Sequence, residues 1–189
     1  TCKMVAQEAK NQAIDPVLAV SIAFNESKFT QDAIAFDGKG FGLNEVGIMK
    51  TDTSSMITIK AFVDGNYLNS YWADGLIVST ATGSTGYSLS CGGPVIIPES
   101  DSLVLTPIAP HNLNARPLVI SSDKVIKLKV SGRENQHLVS LDSRISTLEN
   151  NTTITIQKAP FCIHMIELRE DGFLETLRKK LLWGADPRN

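Results

Sequence analysis

The feature of the sequence that most restricts its fold is a change in hydrophobic spacing near Glu45. From there on, apolar residues recur with a period close to two, as in I-K-L-K-V at 126–130 and I-T-I at 154–156. Successive side chains of a strand point to opposite faces, so this alternation predicts strands with one buried face. Short strands at this spacing, separated by Gly, Pro and Asn, predict a two-sheet or barrel-like β architecture.

Turn and strand signals divide this region into segments. Asp64-Gly65 lies between two β-rich runs and predicts a type I′ hairpin turn, since both residues tolerate positive φ. The predicted strands are 56–63, 66–72, 76–78, 103–105, 118–120, 125–130, 138–141, 152–157 and 162–168. The chain then closes with a predicted amphipathic helix at 172–183, apolar on one side and basic on the other.

The first 42 residues have a different pattern, which predicts helices. Asp15 followed by Pro16 is typical of a helix start, and a short apolar helix is expected at 17–24. Residues 32–42 contain three glycines and predict a loop. The predicted fold class is therefore α+β, with a helical segment at 1–42 and a β-rich two-sheet domain at 43–189 that ends in a helix.

Composition excludes several classes of function. The net charge is −2 and no long run of one sign occurs, which argues against nucleic acid and against a membrane surface as partners. The three cysteines, Cys2, Cys91 and Cys162, lack metal-ligand spacing, and their odd number favours a reducing compartment. The longest apolar run, 17–24, is too short to cross a bilayer. We expect a cytoplasmic protein with no resident metal.

One segment is unusually rich in small polar residues. D-G-L-I-V-S-T-A-T-G-S-T-G-Y-S-L-S-C-G-G-P runs from Asp74 to Pro94 and combines hydroxyls with glycines that allow close backbone approach. It contains no G-x-S-x-G nucleophile motif, and it lacks the lysine of a P-loop. Its donors and acceptors suit the phosphates and hydroxyls of a nucleotide.

The order of the motifs carries a resemblance. The polar segment follows N-E at 44–45 and precedes T-P-I-A-P-H-N-L-N-A-R-P at 106–117, L-D-S-R at 141–144 and T-L-R-x-K-L-x-W-G at 176–184. From residue 43 on, the chain resembles the NAD kinases, most of all those of the Bacteroidetes group. The resemblance implies phosphorylation of the adenosine ribose 2′-hydroxyl of NAD to give NADP, with ATP as donor and a divalent metal such as Mg, by a homo-oligomer (dimer or tetramer).

The resemblance also implies a set of NAD-binding residues. Asn44 and Glu45 match a pair that holds a ribose, and Asp74 matches an acid that contacts the dinucleotide, often from a neighbouring subunit. Trp72 stands where many members have arginine and is a candidate for stacking on a base. The full set is Asn44, Glu45, Ser55, Trp72, Asp74, Thr85, Gly86, Tyr87, Ser88, Leu89, Ser90 and Arg144.

Two further observations keep alternatives open. No G-G-D-G, the family motif with the expected general base, occurs in these 189 residues, so no catalytic residue is assigned. Residues 1–42 resemble the start of a lytic transglycosylase, in which Glu26 matches the catalytic acid. The chain is then a possible chimera, and the alternatives to an NAD kinase are a non-catalytic NAD(P)-binding chimera and a peptidoglycan-cleaving enzyme that uses Glu26.

Overall fold

Two antiparallel β-sheets form the protein over the residues that the computed structural model describes, which are 30–36, 40–51, 55–150, 152–164 and 172–183. The strands are β1 (Thr30–Phe36), β2 (Gly40–Gly42), β3 (Glu45–Lys50), β4 (Ile57–Val63), β5 (Asn66–Ala73), β6 (Gly75–Thr80), β7 (Ser102–Ile108), β8 (Leu118–Ser121), β9 (Ile126–Ser131), β10 (Gln136–Leu141), β11 (Arg144–Glu149) and β12 (Thr153–His164). A 3-10 turn (Thr82–Thr85) and two helices, α1 (Tyr87–Ser90) and α2 (Phe173–Leu181), complete the described part.

The two sheets have six strands each. The first sheet has the order β2-β1-β12-β9-β4-β5, and the second has the order β11-β10-β3-β6-β7-β8. The main apolar core of the described residues lies between them, because inward residues of both sheets belong to one cluster. In β9, for example, Ile126, Leu128 and Val130 are buried while Lys127 and Lys129 are exposed. The α+β two-sheet prediction is confirmed.

The predicted hairpin turn is also confirmed. Asp64 and Gly65 have φ of 49° and 81°, the left-handed values that a type I′ turn requires at both positions. The Asp64 carboxylate accepts a hydrogen bond from the backbone N–H of Val125 at 3.0 Å and pairs with Lys124 at 3.0 Å. The turn is thereby tied to the start of β9.

Several details of the predicted elements are wrong. The loop expected at 32–42 is largely strand: β1 pairs with β12 and with β2 inside the first sheet. The described parts of the two strands expected at 152–157 and 162–168 belong to one strand, β12, which ends at His164; its pairing with β1 is irregular around Pro160. Proline cannot donate to a ladder and is tolerated at such an irregularity. Strand β3 and the edge strand β11 are absent from the predicted set; β11 is exposed at five of its six residues and shows no alternation of burial.

The C-terminal helix is confirmed as α2, with Leu177 buried. The helices predicted before residue 30, and Glu26, lie outside the described residues. Within the described ranges, no helix is long and apolar enough to cross a membrane.

Candidate functional site

The strand β6 is buried along its whole length. Leu76 and Val78 face the core between the sheets, whereas Ile77 and Ser79 face the other way. The chain after β6 folds back over this outer face, where Ser88 Oγ lies 2.8 Å from Thr106 Oγ1 on β7. The part of the polar segment that follows β6 is therefore a compact cover, made of the 3-10 turn and α1, on the outer face of the second sheet.

The cover rests directly on the Asn44-Glu45 pair. Gly83 packs so closely on Asn44 that a Cβ at this position would lie 2.0 Å from the Asn44 carbonyl oxygen. Thr80 links the same parts: its Oγ1 donates to the Leu43 carbonyl at 2.8 Å and accepts from the Gly83 N–H at 3.1 Å. Its backbone N–H donates to the Asn44 carbonyl at 2.9 Å. Residues 43–44 and 80–83, about forty positions apart in sequence, thus pack against each other and are joined by hydrogen bonds.

Asp142 binds the backbone of the Asn44-Glu45 pair. It lies in the turn between β10 and β11, and its carboxylate accepts hydrogen bonds from three successive backbone N–H groups. Leu43 N donates to Oδ2 at 2.9 Å, and Asn44 N and Glu45 N donate to Oδ1 at 2.8 and 3.1 Å. The Asp142 N–H in turn donates to the Glu45 carbonyl at 3.0 Å. The path of the chain through residues 43–45 is fixed by this turn.

Glu45 combines burial with an unused acceptor. Burial raises the pKa of its carboxyl group, and the nearby charge of Asp142 raises it further, while the backbone N–H groups of Tyr87 and Ser88 act in the opposite direction. Its Oε2 atom is buried and has no hydrogen-bond partner within the described residues. A buried acceptor without a partner costs free energy, so this oxygen is a candidate for contact with a ligand.

Tyr87 stands at the exposed edge of the cover, with 44% of its surface accessible. Burial of its hydroxyl is the largest cause that raises the pKa of Tyr87, followed by Cys91, with smaller contributions from Glu45 and Asp74. The two predicted carboxylates therefore lie on the side of the molecule that Tyr87 faces. Asp74 also forms an ion pair with Lys50, with Nζ and Oδ1 2.7 Å apart.

Most of the predicted site is brought together by the fold. Asn44 and Glu45 meet the segment of Thr85, Gly86, Tyr87, Ser88, Leu89 and Ser90, and Asp74 lies close enough to influence Tyr87 electrostatically. Within this group Ser88 is buried in its bond to Thr106, whereas Thr85, Gly86 and Ser90 are exposed.

Three predicted residues are engaged elsewhere. The Trp72 ring packs on His111, with centroids 4.5 Å apart, and remains 50% exposed. The Arg144 guanidinium donates to the Phe41 carbonyl. Ser55 lies two residues before the start of β4 in the first sheet and is partly buried.

Sequence reasoning missed two residues of the site. Asp142 sits in the L-D-S-R motif, but its role requires contacts across almost one hundred residues. Ser79 pairs in register with Glu45 between β3 and β6, and its Oγ is buried without a partner among the described residues. The only signal for Ser79 was its hydroxyl in an apolar strand.

The described residues contain no group of three or more His, Cys, Asp or Glu side chains that could hold a metal ion. What the site offers instead is a set of hydroxyls, backbone amides and carboxylates on the outer face of one sheet. This donor and acceptor set is the kind that recognises ribose and phosphate groups, so fold and site together define a β domain suited to a nucleotide.

Comparison with known proteins identifies the family. Residues 43–168 match the ATP-NAD kinase C-terminal domain. Because this match covers more than half of the chain, the chain belongs to the NAD kinase family.

Individual relatives support this family assignment. An NAD kinase of Christiangramia forsetii is 67% identical over 147 residues, which cover 78% of this chain and 50% of that protein. An NAD kinase of Cytophaga hutchinsonii is 43% identical over 186 residues, covering 97% of this chain and 64% of that protein. The chain thus spans about half the length of most of the curated relatives it matches.

Solved structures share the fold. The yeast NADH kinase complexed with NADH superimposes with a TM-score of 0.76 at 21% identity, covering 83% of this chain and 51% of the other. An NAD kinase from Archaeoglobus fulgidus in complex with ATP gives a TM-score of 0.67 at 26% identity, covering 82% and 62%.

The interpretation of residues 1–42 as part of a lytic transglycosylase is not supported. The alignment with the Cytophaga hutchinsonii enzyme covers 97% of this chain, so it extends well into this segment. In addition, β1 and β2 are strands of the first sheet and not part of a separate helical unit. The short pattern around Glu26 was too brief to separate the two families.

Proposed function

We propose that this chain supplies the NAD-binding half of an NAD kinase, which transfers a phosphoryl group from ATP to the adenosine ribose 2′-hydroxyl of NAD. The observation that carries the proposal is the buried, unpartnered Oε2 of Glu45, at the point where the N-E pair meets the cover of β6. In a member of the NAD kinase family, this is where a ribose hydroxyl would donate a hydrogen bond.

The residues fit a dinucleotide in their chemistry. Glu45 offers an acceptor for a hydroxyl, and the exposed turn at Thr85 and Gly86 offers hydroxyl and backbone groups for polar atoms of the ligand. Tyr87 offers an exposed ring beside them, and Asp74 a further acceptor. We propose the remaining predicted residues, including Asn44 and Ser90, as part of the same binding surface.

Ser55, Trp72, Ser88, Leu89 and Arg144 have supporting roles in this proposal. The buried bond of Ser88 holds the cover in place. The exposed Trp72 ring is available to stack on a base, since an indole face offers a large apolar surface. The Phe41 carbonyl already accepts one hydrogen bond from Arg144, which leaves other guanidinium donors for a ligand.

ATP as donor is supported by the family description and by the Archaeoglobus fulgidus complex. For a Mg²⁺ ion the described residues do not fit, since they bring together no cluster of acidic ligands. No transfer step is therefore assigned to them. The family resemblance further supports a cytoplasmic homo-oligomer, a dimer or tetramer.

Isothermal titration calorimetry with NAD tests the proposal. We expect saturable binding, weakened about tenfold by Glu45→Gln, because one hydrogen bond to a charged group is lost. Tyr87→Ala should also weaken binding, whereas Tyr67→Ala, at an exposed tyrosine of β5, should not. Absence of saturable heat in the folded chain would reject the proposal.

A pH series sharpens this test. The ionised Glu45 carboxylate accepts hydrogen bonds better than the protonated acid does, and its pKa is raised above the usual 4.5. NAD affinity should therefore fall as the pH drops towards this pKa, and Glu45→Gln should abolish that fall. An assay for NADP with ATP and Mg²⁺ then separates a working kinase from a binding module.

A further inference from the structure

The turn between β10 and β11 does more than connect two strands. Asp142 in this turn contacts residues 43–45, and Arg144 at its end contacts the Phe41 carbonyl. The turn therefore touches the chain on both sides of Gly42. No sequence-local interaction could provide this, because the contacting residues are 97 to 103 positions apart.

Asp142 is suited to the task by its shape and charge. Its φ of 51° lies in the left-handed region, which aspartate tolerates better than most residues do. Its short side chain brings both carboxylate oxygens against three consecutive N–H groups. Hydrogen bonds to an ionised acceptor are about twice as strong as neutral ones. The three bonds fix the backbone from Leu43 to Glu45 at the residues proposed to meet NAD.

The charge of Asp142 has a second effect. It adds to burial in raising the pKa of the Glu45 carboxyl group. A residue that only filled space would fix the backbone without influencing that pKa. The charge of Asp142 thus acts, after burial, on the carboxyl group of the residue whose backbone N–H it binds.

We propose that Asp142 is the positioning residue of the dinucleotide site: its carboxylate holds the backbone N–H groups of residues 43–45 and so orients the Asn44-Glu45 pair for NAD. This inference rests on the proposed function for the identity of the ligand. The positioning itself rests on the three carboxylate contacts alone.

The experiment compares Asp142→Ala and Asp142→Asn with Ser143→Ala, the exposed neighbour in the same turn. Asp142→Ala removes all three contacts. Asp142→Asn keeps the size and one acceptor oxygen but removes the charge, so it serves if the alanine variant does not fold. Each variant is first checked by circular dichroism and thermal melting.

The first measurement needs no ligand. Amide hydrogen exchange at Leu43, Asn44 and Glu45 should become about tenfold faster in Asp142→Ala and stay unchanged in Ser143→Ala. NMR titration should give a lower Glu45 pKa in Asp142→Asn. Unchanged exchange at these three amides in the folded Asp142 variants would overturn the inference.

The second measurement is NAD affinity by calorimetry. Asp142→Ala should weaken binding about tenfold or more, and Asp142→Asn by less. If the wild-type chain binds NAD and both folded Asp142 variants bind equally well, the inference is wrong while the proposed function stands. If the wild-type chain binds no NAD, the proposed function fails, and hydrogen exchange alone decides whether Asp142 positions residues 43–45.

Discussion

Replacing Gly83 by alanine should destabilise this protein far more than an ordinary glycine substitution. The added Cβ would lie 2.0 Å from the Asn44 carbonyl oxygen, 2.5 Å from its carbonyl carbon and 2.9 Å from its Cα. All three atoms are backbone, so no side chain can rotate away. To reach an ordinary contact distance, the Asn44 peptide would have to move by roughly 1 Å or more.

That displacement has consequences on both sides of the peptide. It would break the 2.9 Å bond from the Thr80 N–H to the Asn44 carbonyl and pull the Asn44 N–H away from Asp142. One neutral bond and one charge-assisted bond, with the residual overlap, amount to about 3–5 kcal/mol. For a chain of this size the melting temperature should fall by about 10 °C.

Urea denaturation followed by circular dichroism measures this loss directly. Gly92→Ala is the matched control, because Gly92 follows in the same segment with φ of 82° and a Cβ added there would meet no atom within 4 Å. The control should lose only about 1–2 kcal/mol, through left-handed backbone strain. If Gly83→Ala loses no more than Gly92→Ala, the close packing of the cover on Asn44 is refuted.

Two further predictions concern buried polar groups. Burial lowers the pKa of His137 below 6.5, an effect partly offset by Asn150. The folded state thus binds fewer protons, and stability present above pH 6.5 should be lost as the pH falls towards the folded pKa. In His137→Leu, the free energy of unfolding measured with urea should no longer fall as the pH drops below 6.5. If the same fall persists in this variant, His137 is not its cause. Ser88→Ala and Thr106→Val should each cost about 1–3 kcal/mol by leaving a buried hydroxyl unpaired, and the double variant should cost less than their sum; simple additivity would argue against the bond.

The strands that the sequence predicted best are those with one face in the core. In β9 and in the Asp64-Gly65 hairpin, burial alternates with the sequence and the turn requires residues that tolerate positive φ. β11 escaped prediction because it is an edge strand in which only Leu148 is partly buried, so its sequence shows no alternation. β1 and β2 escaped because the three glycines of residues 32–42 indicated a loop, whereas β1 pairs with β12 and β2 pairs with β1, and these ladders supply the hydrogen bonds that stabilise them.

The sequence by itself determined the alternating strands, the turn between β4 and β5, the final helix and the ordered motifs that mark an NAD kinase domain. These depend on local spacing and on residue types that a chain displays without folding. Only the tertiary structure decided that the polar segment after β6 covers a sheet, that Gly83 packs on Asn44, and that Asp142 holds residues 43–45. Such contacts join residues about 40 and 100 positions apart, and strand register and sheet packing fix them, so no local pattern could reveal them.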